Sequence, residues 1–143
     1  MSEYRLNHGS TADAVLFAAL DDFTQGYITA AYWTADEGLD ELAFADLATE
    51  SLEQADGACQ TFQRDNAAAL AAAYEHGAQA KAYTARGAGV DFWLTRNGHG
   101  SGFADREFKD ALAGSLADAA RAWGACDLYL GDDDRLHFTG ESK

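Results

Sequence analysis

The sequence predicts an α+β domain: an N-terminal helical half packed on a small C-terminal β-sheet, with one amphipathic helix between strands. Three observations carry this expectation. Leu16, Leu20, Phe23, Tyr27, Ala30 and Thr34 recur at three- and four-residue steps, as one face of a helix requires. Beyond Gly87 and Gly89 the short run Asp91–Thr95, centred on Phe92, Trp93 and Leu94, reads as a buried strand. Near the end, the turn-forming stretch Gly131–Asp134 separates Asp127–Leu130 from Arg135–Thr139, the pattern of a hairpin.

Taken in order, Met1–Gly9 reads as a flexible lead-in, and Ser10 or Thr11 caps the first helix with Asp13 in its opening turn. That helix continues to Thr34, either unbroken or as two pieces joined near Asp21–Thr24. Gly26 costs a continuous helix about 1 kcal/mol. Asp36–Asp46 reads as a solvated acidic connection. Thr49 or Ser51 caps the next helix, whose stripe is Leu52, Ala55, Cys59, Phe62, Leu70 and Tyr74, with a break or kink at Asp65–Asn66. A short helix over Gln79–Thr84 precedes the glycines. After the strand, Asp105 caps a helix with the face Phe108, Leu112, Leu116, Ala119 and Trp123, stopped by Gly124. Trp33, Trp93 and Trp123 fall on predicted core faces. Gly140–Lys143 reads as a frayed tail, and residues 1–143 as a single domain, a length sufficient to bury a core.

Charge is the strongest compositional feature. Twenty-four carboxylates against ten Lys and Arg give a net charge of −14. No Lys or Arg stands between Arg5 and Arg64, an interval holding Asp13, Asp21, Asp22, Asp36, Glu37, Asp40, Glu41, Asp46, Glu50, Glu53 and Asp56. From Arg64 onward twelve acids face nine bases. High charge alone serves solubility, and an acidic surface suits a saline cytoplasm. Neither explains why the bases are missing from one half. An acidic partner surface does, with Asp36, Glu37, Asp40, Glu41, Asp46, Glu50, Glu53 and Asp56 as its carboxylates. Such a surface repels nucleic acid and anionic membranes and attracts a basic protein. No apolar run approaches the roughly 18–20 residues of a membrane span. No signal-peptide pattern opens the chain, so the expected location is the cytoplasm. Cys59 and Cys126 lack metal-ligand spacing and read as reduced core residues.

The loop after the predicted strand, Arg96-Asn97-Gly98-His99-Gly100-Ser101-Gly102, leads toward Asp105 and Arg106. Strand, glycine loop and helix start is the geometry in which backbone N–H groups gather around an anion. The spacing nevertheless lacks the third glycine of a dinucleotide fingerprint, and no Gly-Lys-Ser/Thr follows. His99 titrates near neutrality, and Arg96 and Arg106 suit an oxyanion or carboxylate. A Ser101–His99–Asp105 triad on one short loop is poorly placed for proton relay. A metal would need His137, His76 or Asp127 from elsewhere, and no HExxH or Cys/His pairing appears. No metal or cofactor is therefore expected. The bland reading is a glycine-permitted turn at Asn97-Gly98 with Arg96 paired to a neighbouring carboxylate. The functional one makes Arg96, Asn97, His99, Ser101, Asp105 and Arg106 a ligand or partner loop.

Three phrases carry a resemblance: Asp91–Arg106, the run Gly26-Tyr27-Ile28-Thr29-Ala30-Ala31-Tyr32-Trp33, and Asp127-Leu128-Tyr129-Leu130-Gly131-Asp132-Asp133. Together they resemble a family of small acidic proteins of bacteriophage and prophage genomes, across about Leu20 to Phe138. Members carry an aromatic residue where this chain has Ala104, and Gly where it has Asp134. The resemblance implies a viral setting and supplies no catalytic residues. The expected function is then a phage-type accessory protein binding a basic host or phage protein. Its sharpest form is a nucleic-acid mimic inhibiting restriction or CRISPR defence. A small enzyme or anion-binding domain using the Arg96–Arg106 loop is the alternative, and a structural or oligomer-forming accessory a third class.

Overall fold

The computed structural model describes residues 19–34, 49–76, 83–98, 102–103, 112–126, 128–130 and 136–138. Among these residues the protein is built from five helices and one pair of three-residue strands. The helices are α1 (Asp22–Trp33), α2 (Thr49–Asp65), α3 (Ala67–His76), α4 (Ala85–Arg96) and α5 (Leu112–Arg121). The strands β1 (Leu128–Leu130) and β2 (Leu136–Phe138) pair antiparallel, with Leu128 opposite Phe138 and Leu130 opposite Leu136.

This overturns the α+β expectation. The stretch Asp91–Thr95, expected as the central buried strand, is the second half of α4. No strand precedes α5 among the described residues, so α5 does not connect two strands, and the sheet among those residues is the two-stranded β1–β2 pair alone. The core is helix against helix. A short apolar run such as Phe92-Trp93-Leu94 does not distinguish strand from buried helix by period. The deciding residues lie upstream. Thr84 is an extended N-cap (φ −109°, ψ 163°) whose hydroxyl accepts the Gly87 N–H at 3.1 Å. From there Ala88, Phe92 and Trp93, Thr95 and Arg96 turn inward at helical spacing.

Gly87 and Gly89 punctuate nothing; both lie inside α4. Gly89 faces the backbone of α1, where a Cβ would collide with the Phe23 carbonyl oxygen. Reciprocally, a Cβ on Gly26 would collide with the Arg86 carbonyl oxygen. The two helices thus meet backbone to backbone, and α1 against α4 is the most extensive helix pair among the described residues.

The N-terminal helical stretch divides rather than running through. Leu20 is a bend, and Asp21 caps α1 by accepting the Thr24 N–H on Oδ1 at 2.9 Å. The carboxylate's other oxygen accepts the amides of Gln60 (2.8 Å) and Gln63 (3.1 Å), tying α1 to α2. The second break falls at Asn66, between α2 and α3, where the side-chain amide donates to the Phe62 carbonyl at 2.9 Å. That bond supplements the backbone bond from Asn66 to the same oxygen.

An aromatic stack fills the centre. Phe62 lies 4.2 Å from Phe92 at 18° and 5.9 Å from Phe103 at 15°, while Tyr27 meets Trp93 edge-on at 5.2 Å. Around it pack Phe23, Ile28, Leu52, Cys59, Leu116 and Phe138, all buried. Trp93 is buried as expected and donates its indole N–H to Thr34 Oγ1 at 2.7 Å; Trp123 is half-buried against Phe92. The side chain of Trp33 lies outside the described residues. No helix among the described residues is long and apolar enough to cross a membrane.

Candidate functional site

Arg96 is the last residue of α4, and its position one turn after Phe92 sends its side chain inward; it is 7% exposed. Nε donates to the Gly124 carbonyl at 2.7 Å, Nη2 to the Trp123 carbonyl at 3.2 Å, and Nη1 to the Tyr27 hydroxyl at 3.0 Å. The guanidinium carbon lies 5.8 Å from the Phe92 ring centre and 5.6 Å from that of Trp123. A desolvated cation is thereby satisfied by carbonyl dipoles just past the end of α5, by a phenol and by two π-faces. These contacts direct Arg96 into the protein rather than toward a ligand at the surface.

Asn97 is committed in the same way. It caps α4, donates Nδ2 to the Trp93 carbonyl at 3.0 Å, and accepts the Cys126 N–H on Oδ1 at 2.7 Å. Gly98 takes φ +68°, the left-handed conformation that closes a helix C-terminus, and its N–H bonds the Thr95 carbonyl at 3.2 Å. At Gly102 (φ +118°) a side chain would run into Thr95 Oγ1, which instead accepts the Phe103 N–H at 3.1 Å. The glycine loop therefore follows a helix C-terminus, where carbonyls are in excess, and not a strand. On its upstream side the arrangement expected to gather N–H groups around an anion is not formed. His99, Ser101, Asp105 and Arg106 lie outside the described residues, so the triad does too.

Tyr27, absent from the predicted site residues, joins Arg96 to the core. Its hydroxyl lies 4.0 Å from Cys126 Sγ, and burial pushes the phenol well above its ordinary value, with the Cys126 thiol adding to the shift and Arg96 opposing it. The sequence signal was its place on the apolar face of α1, which read only as packing. A second buried polar pair also went unforeseen. Asp91, 1% exposed, accepts the Tyr83 hydroxyl at 2.5 Å. Cys59 and Cys126 are both buried, and burial pushes the Cys59 thiol well up. Among the described residues no three His, Cys, Asp or Glu side chains converge on a metal position. His137 is half-buried on β2, while the His76 side chain and Asp127 lie outside those residues.

Of the predicted acidic surface, Glu50, Glu53 and Asp56 are described, and Asp36, Glu37, Asp40, Glu41 and Asp46 lie outside the described residues. All three turn away from the core face Leu52, Ala55, Cys59 and Phe62; Glu50 and Glu53 are exposed, Asp56 half-buried. None forms an ion pair among the described residues, and Asp56 accepts only the Gln60 amide at 3.2 Å. The described arginines are occupied elsewhere. Arg64 meets Asp65 at 3.5 Å, Arg121 meets Asp118 at 3.4 Å, Arg86 donates to the Gln25 side-chain carbonyl, and Arg96 is inside. Asp21, also acidic and exposed, is held by Thr24, Gln60 and Gln63. Partial burial raises its carboxyl, and those hydrogen bonds outweigh it, leaving the group below its ordinary 3.8.

No protein-family model, curated protein or solved structure matches the chain.

Proposed function

We propose that this chain is an acidic interaction protein that docks on a basic surface of another protein, with carboxylates standing where nucleic-acid phosphates would bind. The observation that carries the reading is the outward row Glu50, Glu53 and Asp56 on α2, which no arginine among the described residues pairs with. Successive members are three residues apart, about 4.5 Å along a helix axis, against about 3.4 Å per phosphate on one DNA strand. One face of α2 thus approaches the charge spacing of a single strand. The net charge of −14 makes the same protein a poor ligand for nucleic acid or an anionic membrane.

The resemblance to small acidic phage proteins supplies the setting: the cytoplasm of an infected host, with restriction or CRISPR machinery as the kind of basic target. The glycine-loop alternative gains no support from Arg96, whose donors bond inside the protein.

The test is capture from host lysate on the immobilised protein at low and high ionic strength, with duplex DNA as competitor. A nucleic-acid-binding protein retained at low salt and displaced by DNA supports the reading. Capture insensitive to both salt and DNA overturns it.

A further inference from the structure

An open groove of about 380 Å³ lies where the α2–α3 junction faces the end of α5. Thr61, Asp65 and Asn66 line one side, and Ala119, Ala122 and Trp123 the other. No cation lines it. The Asn66 amide donates its Nδ2 to Phe62, which leaves Oδ1 as the acceptor end. Thr61 has a hydroxyl oxygen, and Asp65 a 61% exposed carboxylate whose Oδ1 alone meets Arg64, at 3.5 Å. A contact that long between exposed side chains is weak and readily exchanged. The groove is therefore lined by three residues that carry oxygen acceptors, by a half-buried indole, and by two alanines.

We propose that this groove receives an arginine side chain of the basic partner. The inference rests on the docking reading above and locates an anchor within it. A guanidinium presents five donors in one plane, and so suits a carboxylate, an amide oxygen and a hydroxyl beside a flat aromatic wall. A lysine ammonium is a compact point charge and gains less from that wall. Arg96 already lies 5.6 Å from the Trp123 ring, so its charge opposes a second cation at the indole. Asp65 must then supply most of the attraction.

The experiment titrates the folded protein with short oligoarginine and oligolysine peptides, read by calorimetry. Asp65→Asn removes the charge, and Ala122→Leu fills the space at an exposed position. Glu50→Gln/Glu53→Gln weakens the α2 row and leaves the groove intact. The expected result is oligoarginine binding that drops about tenfold in Asp65→Asn, the loss of one charge-assisted contact, and drops also in Ala122→Leu, where the added side chain takes the guanidinium's space. Oligolysine should bind more weakly to wild type. Unchanged oligoarginine affinity in both groove variants, or equal affinity for the two peptides, overturns the groove. In the first case, loss of binding in the Glu50/Glu53 variant keeps the docking face standing without it. Loss in the groove variants alone supports the groove and removes the face.

Discussion

Gly89 of α4 faces the carbonyl oxygen of Phe23 so closely that no side chain fits between them, and Gly26 stands in the same relation to Arg86. The neighbours at both sites are backbone, which cannot rotate aside as a flexible side chain would. Gly89→Ala and Gly26→Ala should each destabilise the protein by about 2–4 kcal/mol, by forcing α1 and α4 apart. Gly57, exposed on α2 with open space around it, is the control. Gly57→Ala should stabilise by about 0.5–1 kcal/mol through helix propensity. Urea unfolding of the three variants checks both signs.

Asp21 joins two helices through one carboxylate. Asp21→Ala should cost about 1–2 kcal/mol, the range for losing an N-cap. The pH dependence follows from its lowered folded value. The carboxylate's contribution is complete above the unfolded value near 3.8 and is lost as pH falls through the folded value. Wild type should therefore lose stability on acidification more steeply than Asp21→Asn. Parallel slopes below pH 5 in thermal melts would show that the carboxylate bears no such role.

Removing the Arg96 side chain leaves the Tyr27 hydroxyl and two carbonyls without their donor. Arg96→Met should cost about 3 kcal/mol, and Arg96→Lys should recover little of it, because an ammonium lacks the planar fork. Chemical denaturation measures the cost. A neutral result for either variant would mean that the guanidinium contributes nothing net.

Both cysteines are buried, and burial holds the Cys59 thiol protonated. A thiol reagent should therefore modify the native protein slowly, and both thiols at once in denaturant. Fast stoichiometric labelling of the native state would contradict the packing around them.

The sequence made the helical half legible because its apolar spacing and its breaks agree: Asn66 interrupts α2–α3, and Asp21 is a good cap. It misled at α4. Gly87 and Gly89 read as punctuation, since a glycine required for close approach to another helix looks no different in one dimension from one required for a turn. The recurrence Ala88, Phe92, Thr95 was present but outweighed by the apolar triplet. The partners of Arg96 were missed for a related reason. A cation beside glycines suggests a ligand, whereas its acceptors, the Trp123 and Gly124 carbonyls, stand 27 and 28 positions downstream. Only the fold reveals them. Outward charge was easier to read, because Glu50 and Glu53 follow from the phase of the apolar stripe.

The buried guanidinium also sets how the molecule comes apart. If the segment after α5 were to peel away alone, it would strand an unsolvated positive charge among aromatic rings. Partial melting from that end is thereby penalised, and amide protons near Trp123 should exchange together with those of α1 and α4, in one cooperative opening.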